Sequence, residues 1–502
     1  MGTSGSGTDE AELEALSNVL SPISLPCSGR KMANKLVKVA LYEHLAPMYG
    51  GPPNHLHLGL YKTWGRGNWG MIMTGNVQVS REHLSLGRDI IVPNELTEEA
   101  LRPFNKLASV IHGGFEENTE HGTASHTVTQ PALAIMQLSH GGRQSCKFIG
   151  GRRLTEAPLA PSPIRVKEDK NGILAGILHR LLFQTPKEMT LDDIDDVVHS
   201  FVKGAVLAWK AGFDGIQLHN AHGYLLAEFL SPKTNQRNDL YSAEKENALR
   251  LLKRIVDGIK EAVPGDFVLG IKINSADYVN SQSSSDDVES EERRITEHIV
   301  SIAKWGHFDF IEISGGDYET PTFMETPNKS RRQAFFSQFS QHIMQTLDSL
   351  PADTQKPLIL LTGGLRTPSL LCSVLSCNHA DLLGIGRGAL LRPDLPLYLQ
   401  KLCDTSKTIA DPVIRDSPFE REPELGIRGF SGWVWSRFPR IPLIGAGVEM
   451  AWYGNMMRRL GSANASAADP RPLVPDYSLG AFHAVMKLWF WTLSSPRESE
   501  RM

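Results

Sequence analysis

Residues 190–226, TLDDIDDVVHSFVKGAVLAWKAGFDGIQLHNAHGYLL, hold one full unit of the fold and its densest chemistry. Thr190 caps an amphipathic helical stretch, Leu191–Ala211, and a short apolar strand follows at Gly215–Leu218. That strand runs directly into Leu218-His219-Asn220-Ala221-His222-Gly223-Tyr224. Outward from this unit the alternation repeats. Strands are predicted at Leu36–Val39, Met71–Gly75, Leu133–Leu138, Phe267–Ile273, Phe308–Ile313, Leu358–Leu361 and Leu382–Ile385. Each is short, rich in Val, Ile, Leu or Met and without strict alternation, as strands covered on both faces should be. Helical patterns fill the gaps: Leu56–Trp69, Pro103–His112, Ala243–Ala262, Glu291–Trp305 and Ser369–Ser376. Strands each followed by a helix or long loop specify an α/β protein, a (β/α)8 TIM barrel. A dinucleotide-binding open sheet would carry G-x-G-x-x-G after its first strand, and none stands there.

Three regions lie outside the rhythm. Residues 1–30 read as a flexible N-terminal arm ahead of a barrel at 31–402, and 403–502 as a C-terminal extension, Trp- and Arg-rich, that packs under the barrel or onto a second subunit. Gly141–Leu182, an extended loop after strand three, is too long for a connector and reads as a lid or hairpin over the mouth. Asn280–Arg294 is a polar acidic connection running into a helix.

Composition narrows the class. With 52 Lys+Arg against 56 Asp+Glu the net charge is −4 over 502 residues, which argues against a nucleic-acid or anionic-membrane binder. Apolar residues make up 41%, enough to bury a large core, while 44 Gly and 30 Pro fall short of the roughly 25–30% that marks low complexity. Cys27, Cys146, Cys372, Cys377 and Cys403 are scattered, so the reading is reduced thiols in a cytoplasmic protein. No secretory signal opens the chain, although Met1, Gly2 and Ser6 match the myristoylation pattern. The most apolar stretches, Leu443–Tyr453 and Leu479–Leu493, are too short to span a bilayer and suit a surface or homo-oligomer helix.

In such barrels the reactive groups follow the strands. His219 and His222 could hold a carbonyl oxygen or anion while Tyr224 donates a proton; they could also be satisfied core histidines or two ligands of a zinc ion lacking a convincing third. Lys272, flanked by Ile271 and Ile273, could form a Schiff base, place a fixed charge beside an anionic ring, or pair with a structural carboxylate. Gly363-Gly364 after strand seven and Gly386-Arg387 after strand eight occupy the places where barrels hold phosphate, so a phosphorylated ligand is expected. Gln137, an amide in an apolar strand, could read a flavin edge or bond to backbone.

Taken in order, Asn34-Lys35-Leu36-Val37, Met73-Thr74-Gly75-Asn76-Val77, Gln137-Leu138-Ser139-His140-Gly141-Gly142-Arg143, the HNAHGY segment, Glu228-Phe229-Leu230-Ser231-Pro232, Ser275-Ala276-Asp277 and Gly384-Ile385-Gly386-Arg387 closely resemble the Old Yellow Enzyme family of FMN-dependent NAD(P)H:flavin oxidoreductases, over about residues 30–400. The resemblance implies a barrel holding FMN at its mouth, NADPH or NADH as hydride donor, and a small-molecule activated alkene (an enone or enal) as acceptor. It implies Gln137 on the flavin pyrimidine edge, Gly75 allowing close approach of the ring, Ala40 and Leu41 flanking it, and Lys272 beside N1/O2 where the family usually has Arg. It further implies phosphate at Gly363, Gly364, Gly386 and Arg387, the substrate carbonyl on His219 and His222, and Tyr224 as proton donor. Val39-Ala40-Leu41-Tyr42 departs from the family pattern: Tyr42 stands where Cys or Thr tunes the flavin and lines the substrate pocket. The tail is similar to extensions of fungal members. Two other readings are a flavin-holding protein without turnover and a barrel lyase using Lys272.

Overall fold

A computed structural model describes residues 6–114, 130–166, 173–244, 246–274, 285–314, 329–405, 411–423, 425, 447–464 and 475–493. Gly2 and Ser275-Ala276-Asp277 lie outside the described residues, as does 280–284 of the acidic connection.

Eight parallel strands close into a barrel: β1 (Leu36–Lys38), β2 (Met71–Gln78), β3 (Leu133–Ser139), β4 (Gly215–Asn220), β5 (Val268–Asn274), β6 (Phe310–Ser314), β7 (Leu358–Thr362) and β8 (Leu382–Ile385). Closure is made by β8 pairing with β1 (Gly384 opposite Val37) and β1 with β2 (Lys38 opposite Ile72). Nearly every strand residue is buried, which is why the runs show no polar alternation. Inward side chains Val37, Met71, Met73, Leu133, Ile135, Val268, Phe310, Leu360 and Leu382 fill the interior. Gly270 leaves room there for the Phe310 ring, which a β-carbon at 270 would overlap. The outward side chains pack under helices α2 (His55–Gly65), α3 (Glu98–Ile111), α5 (Leu191–Lys210), α7 (Arg250–Ala262), α8 (Ser285–Lys304), α9 (Lys329–Asp348) and α10 (Pro368–Ser376). Thr190 caps α5, with its hydroxyl accepting from Asp193 N–H at 3.1 Å.

The expectation of a loose arm over 1–30 is corrected. Ser6–Val19 is a helix (α1) that buries Leu16 and Val19 against α10 and the helix Leu395–Asp404. After it, Ile23–Ser24 pairs with Lys31–Met32, and this hairpin seats Leu25 and Met32 in the barrel-interior cluster, closing the bottom of the cylinder. Its turn is fixed by Asp309, which accepts from the N–H groups of Cys27 and Ser28 at 3.0 and 2.8 Å. An apolar plug buried in the interior overrides the polar composition around it.

The segment after β3 is an ordered subdomain in its described part, not a bare hairpin. Leu159–Ala160 pairs in parallel with Lys187–Glu188, α4 (Ile173–Leu182) follows residues 167–172, and Cys146, Val166 and Phe183 make a small core of their own. The tail sits beside the barrel rather than under it. Helix α13 (Gly447–Asn464) packs on α2, and α14 (Ala481–Leu493) packs on α13. The Arg88 side chain lies over the Trp491 ring at 4.6 Å and donates to Trp491 O at 2.7 Å and Ala46 O at 3.1 Å, tying α14 to the loop after β1. No helix among the described residues is long and apolar enough to cross a membrane.

Candidate active site

All eight strands point the same way, so their C-terminal ends share one rim. On that rim Ala40, Leu41, Tyr42, His222, Gly363, Gly386 and Arg387 are partly open, beside strands that are otherwise buried. The sequence-predicted residues therefore gather at one mouth.

At the end of β4 the chain turns back through two left-handed residues, His222 (φ 57°) and Gly223 (φ 70°). A left-handed histidine is strained, and its surroundings hold it there. His222 N–H donates to Asn274 Oδ1 at 3.2 Å, its carbonyl accepts from Gln144 Nε2 at 2.8 Å, and its ring Nε2 lies 3.0 Å from Ser314 Oγ. The turn brings the His222 ring to 5.2 Å from that of His219, while Tyr224 stands edge-on to His219 at 4.4 Å. Burial, then the Lys272 charge, pushes both imidazoles well below the usual histidine range, so both are neutral near pH 7 and each offers one N–H. Among the described residues, the buried Nδ1 of His219 has no hydrogen-bond partner. The Tyr224 hydroxyl accepts from Asn76 Nδ2 at 2.9 Å and lies 3.0 Å from Ser85 Oγ.

Across the interior runs a belt of polar side chains. Gln137 Nε2 donates to Gln217 Oε1 at 2.6 Å, and Gln217 Nε2 donates to Glu312 Oε2 at 2.8 Å. Glu312 Oε1 pairs with Lys272 Nζ at 3.0 Å and accepts from Thr362 Oγ1 at 2.9 Å. Lys272 is thus paired with a structural carboxylate. A lysine whose Nζ is tied to a fully buried carboxylate is poorly placed to attack a carbonyl, which removes support from the lyase reading.

Gly75 also has a reason within the protein itself. A β-carbon there would overlap the Glu43 carboxylate and the Leu41 carbonyl oxygen, so protein atoms of the β1 loop take that space. Gly75 lies where the β2–β3 register shifts between Met73 and Asn76, and its N–H, freed from the ladder, donates to Glu43 Oε1 at 2.8 Å. Tyr61 donates to the same oxygen. Burial pushes Glu43 up and Lys38 down, each opposed by the charge of the other.

The donor set fits FMN. Gln137 on β3 and Lys272 on β5, with β4 between them, are side-chain donors, and Gly363 (φ 132°) and Gly364 (φ 70°) adopt the positive-φ backbone found in anion-binding turns. At Gly386 an added β-carbon would meet only Leu41 and Val39 methyl carbons at 3.6 Å, leaving the backbone approachable. Arg387 already has a partner: its Nη1 is 2.5 Å from Glu449 Oε2 on α13, and Arg366 pairs with Glu422. Tyr42 is turned into the loop, donating to Asp89 Oδ2 at 3.3 Å.

Several residues of this site escaped the sequence reading. Gln217 and Glu312 were detectable by the signal that exposed Gln137, a polar residue inside an apolar strand. Ser85, Asp89 and Glu449 carry no such local mark, since their partners Tyr224 and Arg387 lie far along the chain.

The model of the NADH:flavin oxidoreductase / NADH oxidase family matches residues 120–405. An NADH-dependent flavin oxidoreductase, iliE of Neonectria sp., is 35% identical over 389 residues, which are 75% of this chain and 46% of that protein. The chain therefore spans about half the length of that relative. A second, iccE of Talaromyces variabilis, is 33% identical over 381 residues, covering 74% of this chain and 84% of that protein. Among solved structures, the Old Yellow Enzyme homologue of Zymomonas mobilis is similar with a TM-score of 0.55 and 19% identity, covering 76% of this chain and 92% of that one. That likeness carries the barrel fold.

Proposed function

This chain belongs to the NADH:flavin oxidoreductase / NADH oxidase family, and on that premise we propose that it reduces activated carbon–carbon double bonds, with Tyr224 as the proton donor. FMN, when bound, would supply the hydride chemistry, with NADH or NADPH as donor and the β-carbon of the alkene as acceptor. Gln137 and Lys272 would hold its ring, and Gly363, Gly364, Gly386 and Arg387 its phosphate.

The observation that carries the proposal is the convergence of two neutral imidazoles and one fixed phenol on a single turn. One N–H from each histidine can hold the substrate carbonyl oxygen. As the double bond is reduced that oxygen gains negative charge, and preorganised donors in a water-poor site stabilise it more than they stabilise the neutral ketone. The acceptor is therefore an alkene conjugated to a carbonyl, since an isolated alkene offers these donors nothing. Asn76 donates to the Tyr224 oxygen, which orients the O–H and lowers the cost of leaving it as phenolate. Tyr42, partly open at the rim, would border the same pocket.

The test is anaerobic. Purified protein should be yellow, bleach with NADH or NADPH, and recover its flavin band when 2-cyclohexenone is added. A bleached flavin that no enone, enal or nitroalkene reoxidises would support binding without turnover and overturn the proposal.

A further inference from the structure

We propose that the C-terminal extension shapes the alkene pocket: Trp491 on α14 is a positioning residue that holds the loops after β1 and β2, and so sets how tightly the enone binds beside Tyr42. This rests on the reading of the mouth as an enone site and goes beyond it, by giving the extension a part in that site.

The two loops are knitted to each other. Tyr49 N–H donates to Gly87 O at 2.7 Å, Gly51 N–H to Asp89 O at 3.2 Å and Ile91 N–H to Gly51 O at 3.1 Å. Asp89 ties their side chains together. Its Oδ2 accepts from Tyr42 at 3.3 Å, and its Oδ1 accepts from Gln78 Nε2 at 3.1 Å and from Ser85 N–H at 3.2 Å. Tyr42 is the part of this network that is partly open at the rim, so a shift of the loop pair moves a wall of the mouth.

Local preference does not hold the loop after β1 in this shape. His44 (φ 58°) and Tyr49 (φ 64°) are both left-handed without being glycine, a backbone that the surroundings must enforce. The extension supplies part of that force. Trp491 Nε1 donates to His44 O at 3.3 Å, and His44 Nδ1 lies 3.3 Å from the Tyr42 hydroxyl. Arg88, next to Asp89 in the chain and buried, donates to Ala46 O at 3.1 Å and to Trp491 O at 2.7 Å. The Trp491 ring is buried too, with the Arg88 guanidinium 4.6 Å from its centroid and that of Arg458 on α13 at 4.0 Å. Covering the barrel would need only a large apolar side chain at 491. An indole N–H on the carbonyl of a strained residue, and a buried arginine on the backbone of 491, are directional contacts, and direction is what positions a loop.

The experiment uses the full-length, FMN-loaded protein, reduced anaerobically and mixed with rising concentrations of 2-cyclohexenone. The concentration dependence of flavin reoxidation gives the enone Kd and the limiting rate separately. Trp491→Phe keeps a ring beside the arginines and removes the N–H. It should raise the enone Kd about fivefold, the scale of one hydrogen bond, with limiting rate and FMN content within about twofold of wild type, because Tyr224 keeps its bond from Asn76. In a Tyr42→Phe background, where the hydroxyl next to His44 is gone, the same change should add less than about twofold. Arg88→Lys, which can reach one of the two carbonyls but not both, should raise the Kd in the same way and decides the matter if Trp491→Phe does not fold. A wild-type enone Kd in these variants, or a fivefold effect that persists without the Tyr42 hydroxyl, would overturn the positioning role and leave the enone reading standing. Failure of the reduced wild-type protein to be reoxidised by any enone would remove that reading and the positioning role with it.

Discussion

Gly75 shows how one missing carbon shapes the mouth. The space beside it holds the Glu43 carboxylate, which also receives the Tyr61 hydroxyl, and Lys38 sits close by with Nζ donating to Met73 O at 2.8 Å and lying 3.9 Å from the Trp64 ring centroid. The hydrogen bonds of this buried cluster fix the bulge in β2. Gly75→Ala should therefore destabilise the protein by about 1–3 kcal/mol, as overpacking does, and lower FMN occupancy, read by urea unfolding and by the flavin-to-protein absorbance ratio. An unchanged unfolding midpoint with full flavin would contradict this account of the glycine. At the same scale, the sequence made His219, His222, Tyr224, Gln137 and Lys272 visible because each is a polar residue in an apolar context. It could not show that Lys272 faces Glu312 or that Tyr224 faces Asn76, because those pairings depend on which strands close the cylinder and where each side chain points.

Among the elements, the strands were the most legible. Eight short runs of Val, Ile, Leu and Met fall within one to three residues of the observed barrel strands at their starts and ends, because burial on both faces leaves a continuous apolar signature. Helix α9 was missed, since KSRRQAFFSQFSQHIMQTLD mixes aromatic and polar residues without a clear apolar stripe. The tail helices were missed as parts of the barrel because their apolar faces read equally well as a surface for a second subunit. Helix α13 reaches the turn proposed to hold phosphate through Glu449, whose carboxylate would compete with that phosphate for Arg387. Glu449→Gln should tighten FMN binding by about two- to fivefold, the scale of a partly exposed ion pair, measured by fluorescence titration of apoprotein. Weaker binding would mean that Glu449 orients Arg387 instead of competing for it.

For the molecule as a whole, the barrel is not self-contained between 31 and 402. The hairpin closes its base with Leu25 and Met32, the N-terminal helix packs Leu16 and Val19 against α10, and α14 clamps the β1 loop through Trp491 and Arg88. Composition had pointed the other way for 1–30, because a Gly/Ser-rich start and an acidic helix outweigh a few apolar residues whose partners are remote. Deleting residues 1–30 should cost more than about 4 kcal/mol, given roughly 1.5–3 kcal/mol for each buried large apolar side chain, with a matching fall in thermal midpoint. An unchanged midpoint would restore the picture of a loose arm. The account as a whole turns on the two half-reactions of Tyr224→Phe, followed separately by anaerobic stopped-flow. Alkene reduction should slow by about 100-fold or more while flavin reduction by NADH or NADPH stays within about twofold of wild type; equal slowing of both steps, or of neither, would contradict it.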